Sequence, residues 1–453
     1  MTPRFRFAPS PTGPPHVGSL RTAIFSWALA RSLDGEFLIR IEDTDAARNA
    51  PEMARLMLEA LEWIGLEWDE GPDIGGPYAP YVQSERLARH QEVAKTLLES
   101  GQAYYGDDPE APAEAGDNPL RLRLQDKDIV IEDALRGPLT FSMAERPDPV
   151  LVRTDGKPLY HLATIVDDHD QAITHVVRGE EWLSSLPIHA YLYRLLGWPE
   201  PVWVHLPLVL NQERQRLSKR DPEGGYLVQD FQEAGYLPAA LFNYLLLLGW
   251  SPDGEQEIIS KWEARRQFRL ERLNKAAAIF DWDKAKWVNR QYMKKLSNSE
   301  LAQQIHPHLE DWYESLPASD DWLLRLAALI REEISLFSEA PAAASWAFEA
   351  GFEYTDAANK SLSDEAARPV LIRLIAELAQ LVLLDTSTAD RILKRMRQDF
   401  KELAGLSASQ VMQPLRAALT GKLDGPPLPE IMALLGSARC MERLASAHKR
   451  ATV

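Results

Sequence analysis

A single cysteine, Cys440, stands in 453 residues. No disulfide can close within the chain, and a cysteine-built zinc site is excluded. No apolar run approaches the ~18 residues that a membrane helix needs. The first strand begins by about Arg4, which leaves no room for a signal or transit peptide. These absences predict a cytosolic protein. Basic residues are also in short supply, 50 Lys and Arg against 67 Asp and Glu, for a net charge of -17. That balance does not advertise a nucleic-acid binder: a polyanion would have to meet local basic faces set in a repulsive global field. There is no Ser-His-Asp or Cys-His signature, no tandem repeat, and no low-complexity tract beyond 107–119.

What is present is ample apolar content and a length that implies two to four domains. Residues 4–8 and 36–41 alternate like strands around a helical 16–33, a βαβ unit long enough for a parallel crossover. Helical patterns follow at 52–64 and 84–100, then short strand-like pieces at 120–124, 129–132 and 150–153. Strand-like 172–177, a helix at 183–196 and strand-like 202–210 return the chain to a parallel sheet. From about 227 almost everything reads as helix, with Leu237 to Gly249 the most apolar part, ending at a glycine cap. Beyond 298 only helices are expected, broken at Pro307, Pro317, Pro341, Pro369 and the Pro426-Pro427 pair.

Two segments carry the chemistry. Phe7-Ala8-Pro9-Ser10-Pro11-Thr12-Gly13-Pro14-Pro15-His16-Val17-Gly18-Ser19 is a strand, a punctuated turn and a helix start. It aims backbone N–H groups, a helix dipole and an imidazole at one spot. About 200 residues later, Arg216-Leu217-Ser218-Lys219-Arg220 is a polar loop suited to gripping phosphate oxygens. The pair resembles the HIGH and KMSKS signatures of class I aminoacyl-tRNA synthetases. Arg40-Ile41-Glu42-Asp43-Thr44-Asp45 and Tyr81-Val82-Gln83-Ser84-Glu85-Arg86 resemble the glutamyl subgroup. So do Tyr160-His161-Leu162-Ala163, Val166-Asp167-Asp168-His169 and Arg178-Gly179-Glu180-Glu181-Trp182. A lone H-x-G is weak; these motifs in one order are strong. The resemblance covers nearly the whole chain and fades at about 105–150 and 300–400.

The resemblance implies an α/β nucleotide-binding, Rossmann-like catalytic domain with a small α+β insertion, then an all-α anticodon-binding region. On that basis 1–83 and 158–215 are the two halves of the catalytic domain, and 84–157 is the inserted acceptor-end-binding domain. Residues 216–297 carry the signature loop and stem-contact domain, and 298–453 the anticodon-binding region, split near 370. Some family members hold zinc on cysteines in the insertion; here the matching stretch, about Tyr104 to Leu122, is short and has none.

The implied reaction is attack of the glutamate α-carboxylate on the ATP α-phosphate, expelling pyrophosphate, followed by transfer of the glutamyl group to the terminal ribose of glutamate tRNA. Charge builds at phosphorus, so catalysis is stabilisation and positioning rather than protein nucleophilicity. His16 and Lys219 are expected to donate to phosphate oxygens, with Ser218 shaping the loop and Gly18 admitting the nucleotide. Removing a well-aimed donor typically costs ~3–4 kcal/mol of transition-state stabilisation. Glu181, the Val209 backbone and Arg216 complete the implied ATP site. Arg6 and Arg178 are the candidate ligands for the substrate carboxylate, Glu42 meets the ammonium, and Ala8, Ser10, Tyr160 and Thr164 shape the pocket. Arginine only donates, so an amide side chain would set donors against donors. Taken singly, His16 is a turn cap, Glu42 an acidic turn residue, Arg6 a surface strand residue and Trp182 core. Asp167, Asp168 and His169 are ligand types, but protein-bound zinc is not expected; Mg2+ is expected to arrive with ATP. The family has Lys where this chain has Arg216, and Asn where it has Thr164.

For tRNA, Arg290 and Lys294 lie in a segment resembling the passage into the helical half. Arg416 with Pro426 to Leu428 resembles the anticodon end. Arg391, Lys394, Arg395, Arg397 and Lys401 are either a phosphate face or a plain helix surface. A monomer is expected. The competing readings are a glutaminyl-tRNA synthetase, whose anticodon part is usually β-barrel, and a glutamyl transferase acting on a modified tRNA base, which is shorter. A generic nucleotidylyltransferase lacks the glutamate-pocket motifs. A tRNA-binding paralogue that has lost catalysis is fed only by Arg216, Thr164 and the short insertion.

Overall fold

The computed structural model describes residues 2–44, 50–110, 113–125, 127–144, 146–217, 225–317, 319–348 and 353–450. The chain divides into two compact units, Met1–Glu233 with Leu237–Val288, and Ala234–Tyr236 with Asn289–Val453. The second half of the signature loop, with Ser218, Lys219 and Arg220, lies outside the described residues.

In the first unit, strand β1 (Arg4–Phe7) leads through the Pro/Gly turn to helix α1 (Val17–Ser32), then to β2 (Glu36–Ile39) and helix α2 (Pro51–Trp63). α1 is apolar on nearly all sides because it is enclosed, packing on the sheet and on helices Pro238–Leu247 and Lys261–Gln267. Ile24, Phe25 and Leu29 are buried there, each contributing about 1.5–3 kcal/mol of apolar transfer. Helix α3 (Leu87–Glu99) is followed by β3 (Ala103–Tyr105), β4 (Leu120–Leu122), β5 (Ile129–Asp133), β6 (Gly137–Phe141) and β7 (Val150–Val152). Then come α4 (Tyr160–Asp170), β8 (His175–Gly179), α5 (Leu186–Leu195) and β9 (Val202–Leu206).

One six-stranded sheet runs in the order β2-β1-β8-β9-β5-β6. Its first five strands pair in parallel, and β6 closes the edge antiparallel to β5. β3, β4 and β7 form a separate antiparallel sheet, so the stretch from 103 to 152 is shared between two sheets. β1 has its successor β2 on one side and the distant β8 on the other. That is the topological switch point, where a crevice opens beyond the carboxyl ends of parallel strands.

The helical expectation for the rear of the chain holds, with one small exception. Val209–Leu210 pairs in parallel with Ala278–Ile279, a two-stranded patch that sequence periodicity did not show. No strand follows Ile279 among the described residues. The expected break at Pro307 is absent, since helix Asn298–Trp312 runs through it. Its start is fixed by a capping box between Ser297 and Glu300, and buried Leu301, Ile305 and Leu309 hold it on both sides of the missing N–H. Pro369 falls in the first turn of helix Ala367–Leu378, where no donor is needed. No helix among the described residues is long and apolar enough to cross a membrane.

Candidate active site

Beyond the ends of β1 and β8 lies a cleft of about 620 Å³. Its floor is Arg6 to Ser10, one wall is His16, Gly18 and Ser19 at the start of α1, and the other is Arg178, Gly179, Glu181 and Trp182. Tyr160, Glu42, Val209 and Arg216 also line it. Eleven residues expected in the site from sequence therefore meet in one cavity: Arg6, Ala8, Ser10, His16, Gly18, Glu42, Tyr160, Arg178, Glu181, Val209 and Arg216. Thr164 does not line it. It is buried behind Glu42, to which its hydroxyl donates at 3.0 Å, so it acts on the pocket through that carboxylate.

His16 does both things that were open to it. As N-cap of α1 its Nδ1 accepts the Gly18 N–H at 3.1 Å, and its ring also lines the cleft. An accepting Nδ1 puts the ring proton on Nε2, the tautomer that can donate to a phosphate oxygen. A Cβ at Gly18 would come 3.3 Å from His16 Nδ1, so any larger residue there would press on the capping imidazole. At Gly179 a Cβ would meet the carboxylate of Glu181, which would have to turn aside. Trp182 is not core. It is 39% exposed and its ring faces Tyr160 at 4.7 Å. Sequence reasoning passed over Arg21, which is buried in α1 and lines the cleft. Its Nη1 donates to the Pro207 carbonyl at 2.9 Å, holding the wall that carries Val209.

Beneath the cleft, three of the motifs converge on one buried ion network. Arg6 donates from Nε to Asp168 at 3.0 Å. Arg40, fully buried, donates to Asp168 at 2.8 Å and to Glu42 at 2.9 Å. Asp167 accepts from Arg86 at 2.6 Å and Gln83 at 2.8 Å, and sits 2.7 Å from His90 Nε2. Ser84 donates to Asp43 through its amide and its hydroxyl, at 2.8 and 2.7 Å. Burial pushes the Asp168 carboxyl up, but Arg6 and Arg40 outweigh it and hold the group below the usual carboxylate range. For Glu42 burial prevails over Arg40 and Arg6, and its pKa is raised. Asp167 and Asp168 are thus counter-ions, and His169 stacks on Trp198 at 3.8 Å.

Arg178 differs from its neighbours. Its Nε donates to His205 Nε2 at 2.9 Å and its Nη1 to Tyr160 at 3.1 Å, with His189 Nδ1 at 3.2 Å. Its Nη2 is buried without a hydrogen-bond partner, and no carboxylate among the described residues forms an ion pair with it. Burial lowers its pKa. His205 and His189 carried no sequence motif; the only available signal was that β9 runs parallel beside β8, where Arg178 and His205 fall opposite each other.

In the helical unit, Arg290 and Lys294 both pair with Glu332, at 3.3 and 3.7 Å. Arg416 is half-buried and donates to the Pro426 carbonyl at 2.7 Å. Leu428, expected in a base-contacting loop, is a core residue at 2% exposure, and Pro426 is buried while Pro427 is exposed. A groove of about 800 Å³ beside that loop is faced by Asp321, Glu332, Glu333 and Glu430.

The comparisons agree with this geometry. The family described as "tRNA synthetases class I (E and Q), catalytic domain" matches residues 3–114 and 110–287, and "Anticodon binding domain" matches 300–448. The glutamate–tRNA ligase of Desulforamulus reducens is 36% identical over 487 residues, spanning 99% of this chain and 100% of its own length. That of Halalkalibacterium halodurans is 36% identical over 481 residues, 98% of each chain. A glutamate tRNA ligase from Elizabethkingia meningosepticum, solved in complex with its amino acid, superposes with a TM-score of 0.88 at 32% identity, covering 99% of each chain. Sheet order, cleft and full-length similarity coincide, and the chain belongs to the glutamate–tRNA ligase family of class I tRNA synthetases.

Proposed function

We propose that the cleft activates L-glutamate with ATP and passes it to the 3′ end of glutamate tRNA, with the residue roles that follow. Arg178 is the observation that carries the reading. A buried guanidinium without an anion, with one arm unpartnered beside a cleft, suits the side-chain carboxylate of a substrate. Arg6 stands on the same floor but spends two of its donors on Asp168, so it adds positive potential more than hydrogen bonds. Glu42, half-compensated by Arg40, faces the α-ammonium, with Ala8, Ser10 and Tyr160 bounding the amino acid and Thr164 supporting Glu42. His16 Nε2 and the first turn of α1 meet the phosphates, and Glu181 and Val209 flank the nucleoside. Arg216 lines the cleft on the phosphate side, and Lys219 and Ser218 take the phosphate-contacting roles that their motif implies. Mg2+ enters on ATP. Residues 84–157 receive the acceptor end, 216–297 the stem and 298–453 the anticodon, with Arg290, Lys294 and Arg416 touching the RNA. The enzyme works as a cytosolic monomer.

The test is charging of labelled glutamate onto purified glutamate tRNA with ATP and Mg2+. Stable glutamyl-tRNA is expected. Binding of the tRNA without charging would instead assign the chain to the inactive paralogues and direct attention to Arg216 and Thr164.

The acidic total makes a second prediction. If basic side chains on the helical unit meet the backbone, even three phosphate contacts lower tRNA affinity roughly twenty- to fortyfold between ~50 and ~200 mM salt. Filter binding across that range measures the slope, and a flat line rejects local basic faces as the source of affinity.

A further inference from the structure

Arg4, Arg6, Arg40 and Arg86 are all buried in the catalytic unit, and each rests on a carboxylate: Glu70, Asp168, Asp168 with Glu42, and Asp167. Arg178 rests only on neutral acceptors. The Asp133 carboxylate lies 2.7 Å from His205 Nδ1 and also accepts the His205 amide at 3.1 Å. Nδ1 must therefore carry the ring proton, which leaves Nε2 bare to accept from Arg178 Nε at 2.9 Å. His189 is fixed in the other sense. Its Nδ1 accepts from Arg178 Nη1, so its Nε2 donates to His161 Nδ1 at 3.2 Å. Two imidazoles with opposite tautomers hold one guanidinium, and the Trp203 ring lies under it with the charged carbon 5.4 Å from the centroid.

This inference rests on the amino-acid-binding role given to Arg178 above. We propose that His205, fixed by Asp133, and His189, backed by His161, are positioning residues that aim Arg178 at the substrate's side-chain carboxylate and leave its charge uncompensated, and that they thereby set the preference for glutamate over glutamine. A carboxylate in either place would hold the guanidinium as firmly. It would also neutralise it before substrate arrived, and the pocket would then favour an uncharged amide. The histidines stay neutral at working pH. Burial is the main cause, helped by the Arg178 charge, and it lowers His205 to about 4 even against Asp133, and His189 well below 6.5.

The experiment compares His205→Leu, His205→Gln, His189→Glu and Arg178→Gln in tRNA charging with the full chain. Glutamate, glutamine and ATP are each varied. His205→Leu removes an acceptor and is expected to raise the glutamate KM about tenfold to a hundredfold, with kcat and the ATP KM within about threefold. His205→Gln restores a neutral acceptor and should recover the glutamate KM to within about fivefold of the parent. His189→Glu supplies an anion and should lower the glutamate-to-glutamine ratio of kcat/KM by about tenfold or more. Parallel losses for glutamate and ATP, or a Gln variant no better than Leu, would show that the imidazoles only support the fold. An unchanged ratio in His189→Glu would remove charge neutrality from the argument. Should His205→Leu fail to fold, the Gln and Glu variants still decide. Arg178→Gln separates the two levels: if it leaves the glutamate KM untouched, the reading of Arg178 itself fails, whatever the histidines do.

Discussion

Arg178→Gln is expected to fold as well as the parent while losing glutamate charging by roughly thirtyfold to several thousandfold in kcat/KM. The two halves of this expectation have one cause. A cation buried to 5% exposure among neutral partners costs folding free energy that no anion of the chain returns. Its removal takes from the fold three hydrogen bonds and the contact with the Trp203 ring, and the glutamine amide can replace one of the bonds. The substrate carboxylate, on the role proposed for Arg178, by contrast loses its counter-ion. Thermal melting and charging kinetics on one preparation test both halves. A melting point well below the parent would mean that the guanidinium is structural, and an unchanged kcat/KM would place the carboxylate elsewhere.

Asp168→Asn is expected to do the reverse and strike stability first. Asp168 is the shared counter-ion of Arg6 and Arg40, and all three side chains are nearly or wholly buried. Removing one member of such a set costs about 3–5 kcal/mol, because the remaining charges are left without compensation. That corresponds to a fall of roughly 6–20 °C in the melting point of the catalytic unit. The pH dependence follows from the sign of the shift. Burial raises Asp168 but the two arginines lower it further, so its folded pKa lies below the unfolded one. Its contribution is complete above the ordinary carboxylate range and disappears as pH falls through the depressed folded value. The parent should therefore lose stability towards acid more steeply than the variant. Equal melting points at neutral pH would show that Gln171 and Glu42 suffice to hold Arg40.

Much of this was legible in the residues. The βαβ start, the return of the chain at β8 and β9, and the helical rear followed from periodicity and punctuation, whereas the gathering of His16, Glu42, Tyr160 and Arg178 was implied by the family resemblance of their motifs. What failed to show has physical reasons. Pro307 reads as a breaker because propensity is local, whereas Leu301, Ile305 and Leu309 hold the helix from outside it. Thr164 was expected in the pocket because it stands where the family has Asn, and a resemblance does not give the depth of a shorter side chain. Leu428 was placed in a contact loop by its neighbours in sequence, and its burial depends on helices far away in the chain. His205 and His189 stand in no motif; the pairing of β8 with β9 brings the first beside Arg178, and the packing of α5 brings the second.

The β5–β6 hairpin has a bearing on how the enzyme can be rebuilt. The last residue of its first strand supplies Asp133 to His205, its turn supplies Arg136 to the His205 carbonyl at 3.2 Å and to Glu180, and that first strand completes the parallel run of the main sheet. The segment between the two catalytic halves is therefore not a cassette. A longer counterpart grafted from a relative should be joined within the β3-β4-β7 sheet and leave residues 129–141 as they are. A graft with its seams outside the hairpin would exchange the groups that hold His205 along with the rest of the segment.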